Sequence, residues 1–361
     1  MSVGIKALAK ELNLSIATVS RALNSSGPVS ADTRKRVLEA AAEMGYSANV
    51  SAGSLRKGRV DTVGLMLPAF NPGDSYPLAL FMALADGMQV VMSRHQLDLA
   101  LFQTQPIDSE VAQIKRIVAR RQVDALIVSN TRRHDSRLDY LASQDFPFLA
   151  FGRSESGGDH AWIDLDIEAL AEQAVDRLAS SGHRRIAVVL PGQDAMQAYI
   201  YLKSYRRALK RHGIVFDAAL VRHGEFSERG GYHASESLLA LNEPPSAFLF
   251  QSDSMAIGAY RRFHEAGLVP GTDIAVTSGL LTGEMSAYLS PALTGFTLAP
   301  RELGIRMAEM MLAQVPGHTA YYGSAPTQQI WPVTLVARPS DAHVHGMSDA
   351  VSPANPSHSE A

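Results

Sequence analysis

"LSIATVSRALN", Leu14 to Asn24, has helical spacing but an unusual surface. Val19 and Leu23 can bury together, which leaves Ser15, Ile16, Ala17, Thr18, Ser20, Arg21 and Asn24 on the remaining face. That face carries no acid. It combines hydroxyls, an amide, one guanidinium and small apolar groups. Hydroxyls and an amide can donate to phosphate oxygens, arginine can grip a guanine edge, and Ile16 and Ala17 can touch a thymine methyl.

The flanking sequence makes this stretch the middle of three short helices. "IKALAKEL" precedes it and "ADTRKRVLEAAAEMG" follows, with Ser15 and Ser30 as N-caps and Gly45 as a stop. In the third helix Val37, Leu38, Ala41 and Met44 form the expected apolar side. Two helices joined by a three- to four-residue turn make a helix-turn-helix, whose second helix enters the major groove. A three-helix structural subdomain with a solvated polar face is the alternative on spacing alone. Charge favours the first reading: residues 1–59 hold nine Lys/Arg against four Asp/Glu, a net of +5, and the rest of the chain carries −8.

Beyond Tyr46 the chain reads as a linker, although Asn49 to Lys57 can form a short helix with Leu55 as its one large apolar residue. A helix so short is marginal alone, so Leu55 needs a partner: a second copy of itself, or a base step to wedge. A flexible tether is the other reading. From Thr62 short apolar strands alternate with amphipathic helices, restarting near "WIDLD" at 162–166, which predicts two lobes of parallel sheet covered by helices. "TQQIWPVTLVAR" supplies a closing strand. The expected organisation is a headpiece at 1–46, a hinge at 47–60 and a two-lobed domain at 61–338. Lobe 1 is expected over about 61–162 plus part of 290–325, and lobe 2 over about 163–290 plus part of 325–338. A tail at 339–361, rich in Ser, Pro, Ala and His, reads as disordered.

The totals narrow the function further. At 361 residues and 46% apolar content a large core is available. No uninterrupted apolar run reaches transmembrane length and no signal-peptide pattern opens the chain, so a cytoplasmic protein without membrane contact is expected. Zero cysteines exclude disulfides, thiolate metal sites and cysteine catalysis. No GxSxG, HExxH, P-loop or dinucleotide fingerprint is present, so neither an enzyme nor a bound cofactor or metal is expected.

"LSIATVSRALNSSGPVSADTRKRVLEAAAEMGYSANVSAGSLRKGR" resembles the headpiece and hinge of the LacI/GalR family of bacterial transcription regulators. "LASSGHRRIAVV", "SDSMAIGAYRRFHEAGLVPGTDIAV" and "LSPALTGF" extend the likeness over residues 62–338. The resemblance implies an all-α helix-turn-helix headpiece plus hinge helix, followed by a two-lobed α/β effector domain like a periplasmic binding protein. It assigns phosphate contacts to Ser15, Thr18, Ser20, Asn24, Ser30 and Thr33, and base reading to Ile16, Ala17 and Arg21. It makes Asn49, Ala52 and Leu55 the hinge, with paired leucines in the minor groove of a pseudo-palindromic double-stranded operator. The implied assembly is a homodimer, and the implied activity is repression relieved or strengthened by a small effector. A solute-binding module from another class is the rival.

Effectors of such folds sit between the lobes, beyond the carboxyl ends of the strands. Asp253 follows a strand and opens a helix, where it can accept from ligand hydroxyls or act as a cap. Arg153 and Asp166 sit at strand ends facing the same cleft, or form ordinary ion pairs. Phe70, Tyr76, Phe102, Trp162, Tyr199 and Tyr201 are the aromatic candidates, with core packing as the alternative for each. Two stretches depart from the sugar-binding pattern: "YLKSY" puts Tyr201 where many members have arginine and Ser204 where they have glycine, and "TSGLL" replaces a "GFDD"-like stretch. A tyrosine there is expected to stack on a sugar or an aromatic ligand. The stretches "LAFGR...HAWIDLD" and "TSGLLTGEMSAYLSP" look closest to the α-glucoside-utilisation repressors of proteobacteria, which makes an α-glucoside the expected effector and a nucleobase or aromatic glycoside the alternative.

Overall fold

The computed structural model describes residues 4–24, 27–44, 59–68, 76–104, 109–323, 325 and 327–342. The chain divides into two compact units, Met1–Asp61 and Thr62–Ala361. The hinge residues Asn49, Ala52 and Leu55 lie outside the described residues, as do Phe70 and the tail from 343.

The first unit contains α1 (Ile5–Glu11), α2 (Ile16–Asn24) and α3 (Ala31–Glu43). Asn13, in the left-handed region at φ 53°, turns the chain between α1 and α2. Ser15 caps α2 by accepting from the Thr18 N–H at 3.0 Å, and Ser30 caps α3 by accepting from the Thr33 N–H at 3.2 Å. Leu8, Ala9, Val19, Ala22, Val37 and Ala41 close the core. Leu38 was expected on this apolar side but is half exposed, because one residue past Val37 turns it about 100° around the helix.

The second unit holds two six-stranded sheets. The first comprises β1 (Thr62–Leu67), β2 (Asp98–Gln103), β3 (Ala125–Val128), β4 (Phe148–Phe151), β5 (Ala161–Leu165) and β11 (Gln328–Trp331), in the order β2-β1-β3-β4-β5-β11, with every pair parallel. The second comprises β6 (Ile186–Leu190), β7 (Val221–His223), β8 (Ala247–Ser252), β9 (Ala275–Leu280), β10 (Thr294–Thr297) and β12 (Thr334–Val336), in the order β7-β6-β8-β9-β10-β12. Its last strand is antiparallel. Both sheets reverse their winding between the first and third strands, so each has a switch point, at β1/β3 and at β6/β8.

The lobe boundaries differ from the sequence expectation. "WIDLD" forms β5 inside the first sheet, between β4 and β11, so the expected boundary near 162 cuts through a strand; β10 joins the second sheet, and "TQQIWPVTLVAR" is two strands in different sheets. Pro332 has no N–H to continue a ladder, and the chain changes sheet there. The first residues of the expected disordered tail are ordered, and the rest lie outside the described residues. Ser340 and Asp341 are buried: Ser340 Oγ donates to the Val276 carbonyl at 2.6 Å, and Asp341 accepts from Thr294 Oγ1 at 2.8 Å and is ion-paired with Arg177.

Helices cover both sheets. On the first lie α4 (Tyr76–Arg94), α5 (Glu110–Ala119), α6 (Ser136–Ser143), α11 (Pro300–Ala313) and the short α12 (Thr319–Tyr322). On the second lie α7 (Ile167–Ser180), α8 (Met196–Arg211), α9 (Glu228–Leu239) and α10 (Asp253–Glu265). Each lobe contains one helix pair in backbone contact through reciprocal glycines. A Cβ on Gly87 of α4 would lie 2.0 Å from the Arg301 carbonyl oxygen, and one on Gly304 of α11 would lie 2.1 Å from that of Leu84. Gly231 of α9 and Gly258 of α10 meet the Met255 and Glu228 carbonyls in the same way, at 1.9 and 1.8 Å. Backbone cannot yield as a side-chain tip can. Gly87→Ala and Gly258→Ala should therefore each destabilise the second unit by about 1–3 kcal/mol or more, read as a lower urea midpoint. An unchanged midpoint would show that these helices can separate without loss.

Candidate DNA-reading face and effector cleft

On α2 the buried and exposed sides separate cleanly. Val19 and Ala22 face the core, while Ala17 and Arg21 are exposed and Ile16 is 46% exposed. Ile16 is thus held largely out of the core, and α2 has no acid in its first turn. The Ser15 and Thr18 hydroxyls lie 2.8 Å apart beside the helix N-terminus, where partial positive charge favours a phosphate. Ser30 and Thr33 form the matching pair on α3, 2.8 Å apart. Ser20 is half-buried, and the side chain of Asn24 lies outside the described residues.

In the second unit a cavity of about 380 Å³ opens between the carboxyl ends of the two sheets. Pro68 after β1, Asn130 and Thr131 after β3, and Arg153 after β4 line one side. Pro191 after β6, Glu225 and Phe226 after β7, and Gln251 near the end of β8 line the other. The cleft thus lies at the switch points of both sheets. A neighbouring cavity of about 550 Å³ runs between α4 and residues 280–288 and shares Leu80 and Leu280 with it, but its lining is mostly small and apolar.

Arg153 anchors the polar side. Its Nε donates to Asp164 Oδ2, and its two terminal nitrogens donate to the two oxygens of Glu168, each at 2.7 Å. Burial lowers and these carboxylates raise the guanidinium pKa, with a net rise that keeps it charged. Burial pushes Asp164 above its ordinary value, and Arg153 only partly reverses this. For Glu168, partial burial acts upward, but the Arg153 hydrogen bonds and charge more than offset it, so its pKa falls.

A seam of backbone bonds joins the lobes beside the cleft. Arg132 and Ala195 form an antiparallel bridge, Met196 N–H donates to the Thr131 carbonyl at 3.0 Å and Arg133 N–H to that of Asp194 at 3.1 Å. Arg132 also pairs with Asp194 at 3.1 Å, and the Arg133 guanidinium lies 4.4 Å from the centre of the Tyr199 ring.

Of the effector candidates from sequence, Arg153 lines the cleft. Asp166 caps α7, accepting from the Ala169 N–H at 2.9 Å; the strand acid that lines the cleft is Asp164. Trp162 lies beside the Arg153 guanidinium, 5.9 Å from it, and Phe102 packs on the first sheet near Gly64. Tyr199 belongs to the lobe seam. Tyr201 does not form a platform: with Ala198, Tyr205 and Ala208 it makes the buried stripe of α8, is 1% exposed, and its hydroxyl has no hydrogen-bond partner. Asp253 is buried and accepts from the Thr282 N–H at 2.9 Å and Thr282 Oγ1 at 3.1 Å, tying the loop after β9 to α10. The side chain of Tyr76 lies outside the described residues. Sequence reading missed Asn130, Phe151, Asp164, Glu168, Gln197, Phe226, Gln251 and Leu280. Their shared signal was position at or just beyond a strand's carboxyl end, or in the first turn of the helix that follows.

A helix-turn-helix unit followed by a two-sheet unit with a ligand-sized cleft at its switch points defines a ligand-responsive DNA-binding regulator. Residues 4–49 match the model for bacterial regulatory proteins of the lacI family, and residues 175–340 match a periplasmic binding protein-like domain. The chain is 33% identical over 344 residues to the HTH-type transcriptional regulator AglR of Rhizobium meliloti (strain 1021), covering 94% of both chains. It superposes on the transcriptional regulator CelR–cellobiose complex with a TM-score of 0.69 at 26% identity, covering 94% of this chain and 99% of the other. The lac repressor dimer bound to operator and the anti-inducer ONPF gives 0.81 at 24% identity over 95% and 100%, a likeness of fold. The chain belongs to the lacI family and is a DNA-binding transcriptional regulator. Among the described residues no helix is long and apolar enough to cross a membrane.

Replacing Arg153 tests the polar anchor. Arg153→Met strands the buried Asp164 carboxylate and should cost about 3 kcal/mol of stability near neutral pH, with Asp164→Asn in the same chain restoring most of it. In the single variant the folded Asp164 pKa rises further above its unfolded value near 3.8, so the penalty is absent below that pH and grows as pH rises toward the folded value. A loss of the same size at every pH would remove Asp164 as its source.

Proposed function

We propose that this regulator is a cytoplasmic homodimeric repressor of a carbohydrate-utilisation operon, with an α-glucoside as effector in the cleft between the sheets. The carrying observation is the cleft's composition: Phe81, Phe151, Phe226 and Leu280 beside Asn130, Gln197, Gln251 and the Arg153 cluster. Apolar surfaces suit the C–H faces of a sugar ring, and convergent amides and carboxylates suit its hydroxyls. The cellobiose in the CelR complex supports a sugar, and the likeness to α-glucoside regulators noted above supports this class.

Two α2 helices read half-sites of a near-palindrome, using Ile16, Ala17 and Arg21 for bases, and Ser15, Thr18, Ser20, Asn24, Ser30 and Thr33 for phosphates. Asn49, Ala52 and Leu55 form the hinge, with the two Leu55 side chains wedged together at the operator centre. Asp253 acts as a positioning residue through Thr282. Effector binding changes operator affinity only so far as the two lobe arrangements bind it differently; a coupling of about 1–3 kcal/mol changes affinity roughly 5- to 150-fold.

Thermal unfolding of the full chain with maltose, methyl α-glucoside, nucleobases or aromatic glycosides tests the effector class, since a ligand of the native state raises the midpoint. An α-glucoside is expected to do so. A response confined to nucleobases would overturn the sugar reading, and one confined to aromatic glycosides would move recognition to the three phenylalanines. In gel shifts Arg21→Ala should weaken specific binding by about 1–3 kcal/mol and relax one base position, and Leu55→Ala should weaken operator binding with the second unit still folded. Wild-type affinity in either variant would remove that residue from the interface.

A further inference from the structure

Among the described residues the cleft lining has one cation, Arg153, and three carboxylates, Asp164, Asp194 and Glu225. Every nitrogen of the Arg153 guanidinium donates to Asp164 or Glu168. This cluster carries −1 with both carboxylates ionised and zero with a proton on Asp164; in neither state is it positive. Asp194 pairs with Arg132, whose guanidinium also serves Glu110 at 3.0 Å, and Glu225 pairs with Arg229 at 2.7 Å.

Helix N-termini, the other ready source of positive potential, carry acids of the chain itself. Asp166 caps α7 and Glu168 occupies its first turn, Asp253 opens α10, Asp135 caps α6, and Asp194 lies just before α8. Gln251 adds an acceptor: it is 4% exposed, lines the cleft, and its amide oxygen has no hydrogen-bond partner.

We propose that the cleft selects an uncharged, hydroxyl-rich ligand and rejects the phosphorylated or carboxylated form of the same sugar. The inference rests on the carbohydrate reading and narrows it. Ligand hydroxyls donate to the carboxylates and to Gln251, whereas a phosphate brought against the same groups meets like charge, and among the described residues the cleft lining holds no second cation to offset it. The regulator then reports a sugar before any phosphoryl-transfer step acts on it, so its signal falls as a sugar kinase reaction proceeds.

Isothermal titration of the full chain with matched pairs tests this: glucose and glucose 6-phosphate, trehalose and trehalose 6-phosphate, maltose and maltose 6′-phosphate. At least one neutral sugar is expected to bind, with its phosphorylated partner about tenfold or more weaker. Equal or tighter binding of the phosphorylated form overturns the inference and leaves the carbohydrate reading intact. Heat with nucleobases and with none of the sugars or phosphosugars overturns both. In Glu168→Gln, which removes one carboxylate from Arg153, the discrimination should narrow by roughly threefold or more. An unchanged ratio with wild-type binding of the neutral sugar overturns the role given to this cluster.

Discussion

A parallel sheet is stable only with both faces covered, and that requirement shapes most of this molecule. Every parallel connection crosses over the sheet, so helices alternate with strands. Winding the crossovers first one way and then the other leaves a crevice where the direction reverses. Two such sheets, oriented with their reversal points toward each other, form the cleft without any additional element. The pocket is a by-product of covering the sheets, and its chemistry comes from the few residues that follow each strand.

Those residues solve one electrostatic problem jointly. Strand ends and helix starts expose backbone N–H groups, and this chain answers with its own acids: Asp135, Asp166, Asp253. Two further acids at the cleft need a counter-charge, and Arg153 satisfies both at once, Asp164 and Glu168. The cleft is left rich in acceptors. The lobe seam adds a geometric limit, because bonds between Thr131 or Arg133 and residues 194–196 tie the lobes together at one edge of the opening.

How much of this was legible in the sequence depended on whether a pattern was local. Ser15 and Ser30 as caps, and Val19 turned inward with Arg21 turned out, follow from spacing alone. The α/β alternation was equally plain, but alternation does not say which sheet a strand joins, and the expected boundary near 162 therefore cut through β5. Asp166 was preferred to Asp164 for the same reason: both lie at the end of "WIDLD", and only the point where strand becomes helix shows that one lines the cleft and the other caps α7. Tyr201 was read from its place in a family pattern. The helical stripe Ala198–Tyr201–Tyr205–Ala208, visible in the sequence, has the spacing of a buried face. Glu168 carried only its place in the first turn of α7, since its pairing depends on an arginine fifteen residues earlier.

The chain passes between the two sheets three times, after β5, after β10 and after β11. Neither lobe is therefore a continuous length of polypeptide. During synthesis the first sheet waits for its sixth strand until residues 328–331 have left the ribosome, and the second waits a few residues longer for β12. A nascent chain halted at residue 300 would display two incomplete sheets rather than one finished lobe and one absent. Gene fusion or recombination can move the headpiece freely, but the cleft-bearing part is inherited whole.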